Sequence, residues 1–387
     1  MKKVGLIVRK ELLDAVRDTH TFLLVVVTPL VLYPVLFVAM GYFMQTEKTK
    51  EEKAIYKVGI INPAFDLPLF TLIKKSGKFE VLTGNEAVLM FEKEKVKAVL
   101  EIMDGEAEEK IVIHYDGADK ESQNAMKTIS KIVSEYNESL VKNRISEYGL
   151  STKILEPIVI EKKNIAPAKR MGGFMLGTLI PYLLIIISFS GAMHTALDIT
   201  AGEKERKTIE TLLVTNVKRE EIVMGKMLSI FSISILTTAS GLVGLVATLY
   251  SGFSFLTVGE TFSLSIPWFS CILMLIVMLP LLWFFSSLLM TIGSASRTMK
   301  EAGTYSSYLS FFVIILAVFS VLRLTFPGWS LFFIPVLSTA VLQQQILIGE
   351  FSRLNSIITI VSSIIYALIV FSIAKTCFEK EEILFRS

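Results

Sequence analysis

"GEKERKTIETLLVTNVKREEIVMGK", Gly202 to Lys226, places a dense cluster of mixed charge between two long apolar runs. Within it Ile209, Leu212 and Leu213 stand at i, i+3 and i+4, one stripe of a helix, while Glu203, Glu205, Arg206, Lys207 and Glu210 clothe the other faces. Such a helix can lay its stripe in a groove of a soluble partner, with the charges fixing register. A solvated loop that only keeps basic residues beside the ends of membrane spans would carry similar charge. The choice turns on the flanks.

The 387 residues are 52% hydrophobic and 19% charged, too apolar for an ordinary soluble domain. Crossing ~30 Å of hydrocarbon takes about 20 apolar residues in a helix. Runs of that kind stand at about Phe22 to Met44, Gly173 to Leu197, Met227 to Tyr250, Ile266 to Ile292, Ser306 to Leu322 and Ile357 to Ala374. A further apolar stretch, residues 327–349, is cut by Pro327, Gly328 and Pro335 and is expected to re-enter the membrane or lie at its interface. The predicted fold class is an α-helical polytopic membrane protein with six transmembrane helices: helix 1 over 21–44, helix 2 over 172–198, and helices 3–6 within 227–376.

Basic residues near span ends are retained in the cytoplasm. Lys2, Lys3, Arg9, Lys10 and Arg17 precede the first run; Lys204, Arg206, Lys207, Lys218, Arg219 and Lys226 follow the second. Arg297 and Lys300 follow the fourth, and Lys375, Lys380 and Arg386 follow the last, whereas "SGFSFLTVGETFSLS" between the third and fourth has no Lys or Arg. Six crossings then place both termini, the segment 199–226 and the tail 377–387 inside. The first run is longer than the core of a removable signal and follows a charged amphipathic stretch, so it is expected to stay as an anchor. Cys271 and Cys377 fall at opposite ends of the spans and cannot pair within one chain.

In residues 1–20, Val4, Ile7, Val8, Leu12, Ala15 and Val16 recur at helical spacing, with Lys3, Lys10, Asp14 and Arg17 on the remaining faces. This predicts an amphipathic helix in the cytoplasmic membrane surface, a simple extension of the first span being the alternative. Residues 45–171 are charged and carry the turn signals "NP", "GN" and "DGAD". "YKVGIIN", "KFEVLT", "VKAVLEI" and "KIVIHY" read as strands, "LPLFTLIKK" and "EAVLMFEKEK" as helices, and Asp119 to Tyr148 as a long helix stopped at Gly149. An extracellular α/β domain is expected here, since large translocated domains escape the basic-residue rule.

The chain has no G-x-x-x-x-G-K-[ST] phosphate loop, no H-E-x-x-H, no C-x-x-C and no G-x-S-x-G, and His20, His114 and His194 lie in separate regions. No catalytic residue, metal ligand or bound cofactor is expected. A net charge of +3, evenly mixed, excludes nucleic acid as a partner.

The opening stretch resembles the cytoplasmic segment of type-2 ABC exporter permeases, which runs roughly G-E-[RK]-E-x-G-T-[LI]-E-x-L-L-x-[ST]-P before a charged run and G-K. The chain departs from that form at Lys207, where Gly is usual, and at Asn216, where Pro is common, and both departures bear on the local turn. "VRKELLDAVRD", "ASRTMKEAG" and "FEKEEILFRS" extend the resemblance over the whole chain, whose arrangement is most similar to sodium-extruding members. The resemblance implies that Gly202, Glu203, Glu205, Arg206, Thr208, Glu210, Leu212 and Leu213 form a coupling helix docking on a separate soluble ABC ATPase. Arg9, Lys10, Glu11 and Asp14 would make a second contact. ATP and Mg would sit on that partner, and a homodimer with two ATPase chains is expected in the lipid bilayer.

Ionisable groups deep in a bilayer mark function, and few occur here. His194 and Asp198, one helical turn apart and close enough to pair, and Gln343 and Gln344 on the broken stretch, are the candidate pathway or gate residues. Ser188, Ser190, Thr237, Thr238 and Ser240 suit hydrogen bonds between spans. No midplane carboxylate offers a sodium site, although Pro29, Pro34, Pro181 and Pro280 mark breaks whose carbonyls can ligate a hard cation. Two alternatives stay open: export of a peptide, lipid or drug, and a receptor or sensor with an extracellular ligand-binding domain.

Overall fold

The structure, a computed structural model, describes residues 2–61, 67–84, 87–92, 95–103, 110–148, 168–251, 268–321, 328–349 and 352–379. The chain folds into two units, Met1–Tyr42 with Ile165–Ser387 forming one and Phe43–Asn164 the other.

The N-terminal helix α1 (Lys2–Arg17) ends at Asp18, whose carboxylate accepts from the backbone N–H groups of His20 and Thr21 and caps α2 (Thr19–Phe22). That helix runs through a π turn (Leu23–Val27) into α3 (Thr28–Lys53).

The second unit holds β1 (Tyr56–Ile61), α4 (Leu67–Lys75), β2 (Phe79–Thr83), α5 (Ala87–Glu92), β3 (Ala98–Met103), β4 (Lys110–Tyr115) and α6 (Lys120–Glu147). The sheet order is β2-β1-β3-β4, with β1 parallel to β2 and β3, and β4 antiparallel to β3. Leu69 and Ile73 of α4 and Ala125 and Ile129 of α6 pack on Val58, Ile60 and Leu100. Ala87 of α5 packs with Ile61 and Val99 in a separate cluster, as expected where a sheet is covered on both faces. The helix stop expected at Gly149 lies outside the described residues.

The remaining helices are α7 (Ala168–Leu197), a π turn (Asp198–Gly202), α8 (Glu203–Glu205), α9 (Thr208–Val214), α10 (Arg219–Tyr250), α11 (Trp268–Ala295), α12 (Met299–Val321), α13 (Pro335–Ile348) and α14 (Arg353–Glu379). Among the described residues, six helical stretches are long and apolar enough to cross a membrane: Thr19–Phe43, Leu179–Glu205, Arg219–Tyr250, Trp268–Ala295, Met299–Ser320 and Arg353–Thr376. Helix α13, at 14 residues, is too short to do so. It starts at a proline and ends at Gly349 in the left-handed region (φ 87°).

Their shared core is dense with Leu184, Phe189, Met278, Leu281, Leu282 and Phe285, and the Phe189 and Phe285 rings meet edge to face at 5.0 Å. The Ser188 and Thr238 hydroxyls join α7 to α10 at 2.7 Å, a polar bond between apolar helices.

Candidate functional site

The site begins with a close approach. Ile7 of α1 is buried over Gly225 of α10, where an added Cβ would meet Ile7 Cγ2 at 2.8 Å. A side chain at 225 would lift α1 away. One turn past Ile7 comes Glu11, and next to Gly225 comes Lys226, so this contact draws two opposite charges together.

Lys226 has no solvent exposure. Its Nζ donates to Glu203 Oε2 at 2.5 Å and to the Ile199 carbonyl at 2.5 Å, and lies 3.5 Å from Glu11 Oε1. Glu203 Oε1 accepts from Lys10 Nζ at 3.0 Å, and Lys10 lies 3.2 Å from Glu11 Oε1. Two cations and two carboxylates from α1, α8 and α10 thus form one alternating quartet. Burial of single charges is prohibitive unless each is paired and hydrogen-bonded, and here the buried three share partners. Lys10 is the one member that reaches solvent. Partial burial works against its charge, but the hydrogen bond to Glu203 and the Glu11 and Glu203 carboxylates outweigh it and hold its pKa above the ordinary lysine value.

The next residues along the chain reach other helices. Lys204 Nζ donates to the carbonyls of Ser294 and Ser296 at 2.7 and 3.0 Å, where α11 ends. Glu205 accepts from the Met299 N–H at 2.9 Å, where α12 begins. A cation thus meets a helix C-terminus and an anion a helix N-terminus, the favourable sense for both dipoles. Arg206 donates to Asp198 Oδ1 at 2.6 Å, and this bond raises the guanidinium pKa further. Four consecutive side chains, Glu203 to Arg206, therefore tie this turn to α1, α10, α11, α12 and the π turn before it.

Expected on the outer faces of a docking helix or in a second docking contact, Glu203 and Glu11 instead point inward and are buried. Lys226 belongs to the site, although the sequence pattern marks it only as one of the basic residues that set orientation. A signal for it exists all the same: a lysine inside "IVMGKMLSIF" needs an internal partner. Glu205, Arg206, Thr208 and Glu210 are exposed, and Gly202 is buried. Ile209 packs into the core; the side chains of Leu212 and Leu213 lie outside the described ones. On α1, Arg9 and Asp14 are exposed.

Lys207, between α8 and α9, has φ 59°, the region that favours glycine. Glycine, usual here in the form the segment resembles, would adopt this conformation without strain. Lys207→Gly is expected to raise the unfolding free energy by about 0.5–1 kcal/mol, part of the left-handed penalty being offset by a more flexible unfolded chain. Thermal unfolding in detergent would read this as a higher midpoint; a lower midpoint would mean that the turn does not hold this conformation.

The pair expected between His194 and Asp198 gives way to other partners. Asp198 takes Arg206, and the His194 ring stands edge-on to His20 at 6.5 Å. All three border a polar cavity of about 910 Å³ whose wall includes Asp14, Asp18 and Thr211. Gln343 on α13 is fully buried, and neither side-chain polar atom has a hydrogen-bond partner among the described residues. Gln344 packs beneath Gly177 of α7. Among the described residues no group of three or more His, Cys, Asp or Glu is placed to hold a metal ion.

Residues 6–383 match the family described as ABC-2 family transporter protein. The chain belongs to that family, as a multi-pass permease of the bacterial cell membrane, a subunit that works with a partner ATPase. It is 29% identical over 391 residues to the ABC transporter permease protein NatB of Bacillus subtilis (strain 168), with 97% of this chain and 98% of that one covered.

Proposed function

We propose that this permease is the membrane half of an ATP-driven exporter that extrudes sodium ions, and that a soluble, NatA-like ATPase drives it through the segment Gly202 to Thr215. The observation that carries the reading is the run Glu203 to Arg206, whose side chains grip the ends of α10, α11 and α12 and the helix α1. In the proposed assembly two copies of the chain bind two ATPases, with both termini and the coupling segment in the cytoplasm and the α/β unit outside. ATP closes the ATPase pair, α9 is dragged with it, and the turn at 203–206 passes the displacement to four helices at once. Sodium as the cargo rests on the resemblance to sodium-extruding members of the family.

Glu210 is exposed on α9 and so is free to meet a partner. Glu210→Arg is expected to weaken recovery of the ATPase with the permease by about tenfold, the scale of a reversed charge at an interface rim, and to leave the membrane part folded. Unchanged recovery would remove α9 from the docking surface. The cargo is tested separately, by ATP-dependent sodium uptake into inverted vesicles containing both subunits. Efflux of a lipid, peptide or drug without sodium movement would replace sodium.

A further inference from the structure

A second cavity lies beside the contact of α1 with α10, lined by α1 residues other than Ile7, Lys10 and Glu11. It is a groove of about 890 Å³, walled by Val8, Leu12 and Val16 of α1, Met224 and Leu228 of α10, and Trp283 of α11. The lining is apolar but for two charged residues, Arg9 and Glu221. Glu221 is engaged, accepting from the Lys218 backbone N–H at 3.1 Å as part of the cap of α10. Arg9 is exposed and makes no ion pair among the described residues. Glu11, the acid nearest to it in α1, is turned away into the quartet.

We propose that this groove seats an acyl chain of an acidic membrane phospholipid, with the lipid phosphate at Arg9. The walls remove alkyl groups from water without offering them a polar partner, which suits a hydrocarbon chain. A phosphate matches the planar fork of the Arg9 guanidinium, which a purely apolar occupant cannot engage. Leu13 and Val16 of α1 are 43% and 55% exposed and continue the wall outward, as in a helix lying in the bilayer interface. A multi-pass protein of the bacterial membrane has such lipids as its nearest solvent. The lipid would brace α1 against α10 beside the contact of Ile7 with Gly225, a role independent of the exported cargo.

Trp283 lines the groove and reports on it. The chain has three tryptophans, so Trp268→Phe and Trp329→Phe leave Trp283 as the sole emitter. In vesicles of phosphatidylcholine containing a tenth of phosphatidylglycerol brominated on its acyl chains, Trp283 fluorescence is expected to fall at least twofold more than with the same fraction of brominated phosphatidylcholine. Arg9→Gln should abolish that preference, and Arg9→Lys should keep part of it. Gly5 also borders the groove, and an added Cβ there meets no atom within 4 Å, so Gly5→Phe should fill the space and reduce quenching by both lipids. Equal quenching by the two lipids in the parent chain would overturn the headgroup assignment. Protection of Trp283 from both lipids, through cover by a second copy, would overturn the site, as would quenching that ignores Gly5→Phe while Arg9→Gln leaves the preference intact.

Discussion

Replacing Lys226 by methionine is expected to lower the unfolding free energy by about 3–5 kcal/mol, the cost of removing one partner from a buried ion pair. Methionine fills much the same volume, so the loss would be electrostatic. Without the ammonium, Glu203 and Glu11 face each other inside the bundle with Lys10 alone, and Lys10 is half in solvent. One carboxylate must then take up a proton or turn outward, and either outcome frees α1 from α10. The double variant Lys226→Met with Glu203→Gln should recover most of the stability, since it removes the unpaired charge as well as its partner. Thermal unfolding in detergent measures both, and limited proteolysis at the N-terminus reports the release of α1. A single variant within about 1 kcal/mol of the parent, the range of an exposed pair, would show that water reaches the quartet and that it does not hold the turn at 203–206.

The sequence states some of this plainly and hides the rest for physical reasons. Six spans are legible because hydrocarbon sets a minimum length for an apolar helix, and the runs from Phe22 onward meet it without charges. The stripe of α1 is legible in Ile7, which lands in the core, but the same stripe includes Val16, which the fold leaves exposed. The partners of the charged turn are hidden because the helical phase breaks twice there. The π turn at Asp198–Gly202 takes an extra residue into the turn and shifts the helical phase, and Lys207 reverses the backbone at φ 59°. A wheel drawn on the Ile209, Leu212 and Leu213 stripe alone points Glu203 outward, whereas the phase of α7, whose buried Phe189, Ala192 and Ala196 stand 14, 11 and 7 residues before it, carries it inward. The same break explains Asp198, four residues past His194 in sequence yet bonded to Arg206. Lys226 could have been found, because an ammonium within an apolar run must answer to a carboxylate; the sequence does not say which one.

Gly244→Val is expected to destabilise the bundle by about 3 kcal/mol, at the upper end for an overpacked core. A Cβ at this position would fall far inside van der Waals contact of the Leu30 carbonyl oxygen on α3. Backbone cannot rotate aside as a side chain can, so α3 or α10 has to move. On either side of it Leu242 and Leu245 are buried, and such a shift would open space around both. Gly303→Ala on α12 is the control: an added Cβ there meets no atom within 4 Å, and the gain in helix propensity is about 1 kcal/mol in the opposite sense. Gly225 and Gly244 lie 19 residues apart on one helix, about 28 Å at 1.5 Å per residue. The N-terminal segment is thus held against α10 at two distant points, one by steric fit alone and one by fit plus charge. Sites this far apart contribute independently, so Gly244→Val combined with Lys226→Met should lose the sum of the two. A loss well short of that sum would mean that α1 and α3 leave α10 together, as one rigid arm, and that force entering at the quartet is carried along the whole length of α10.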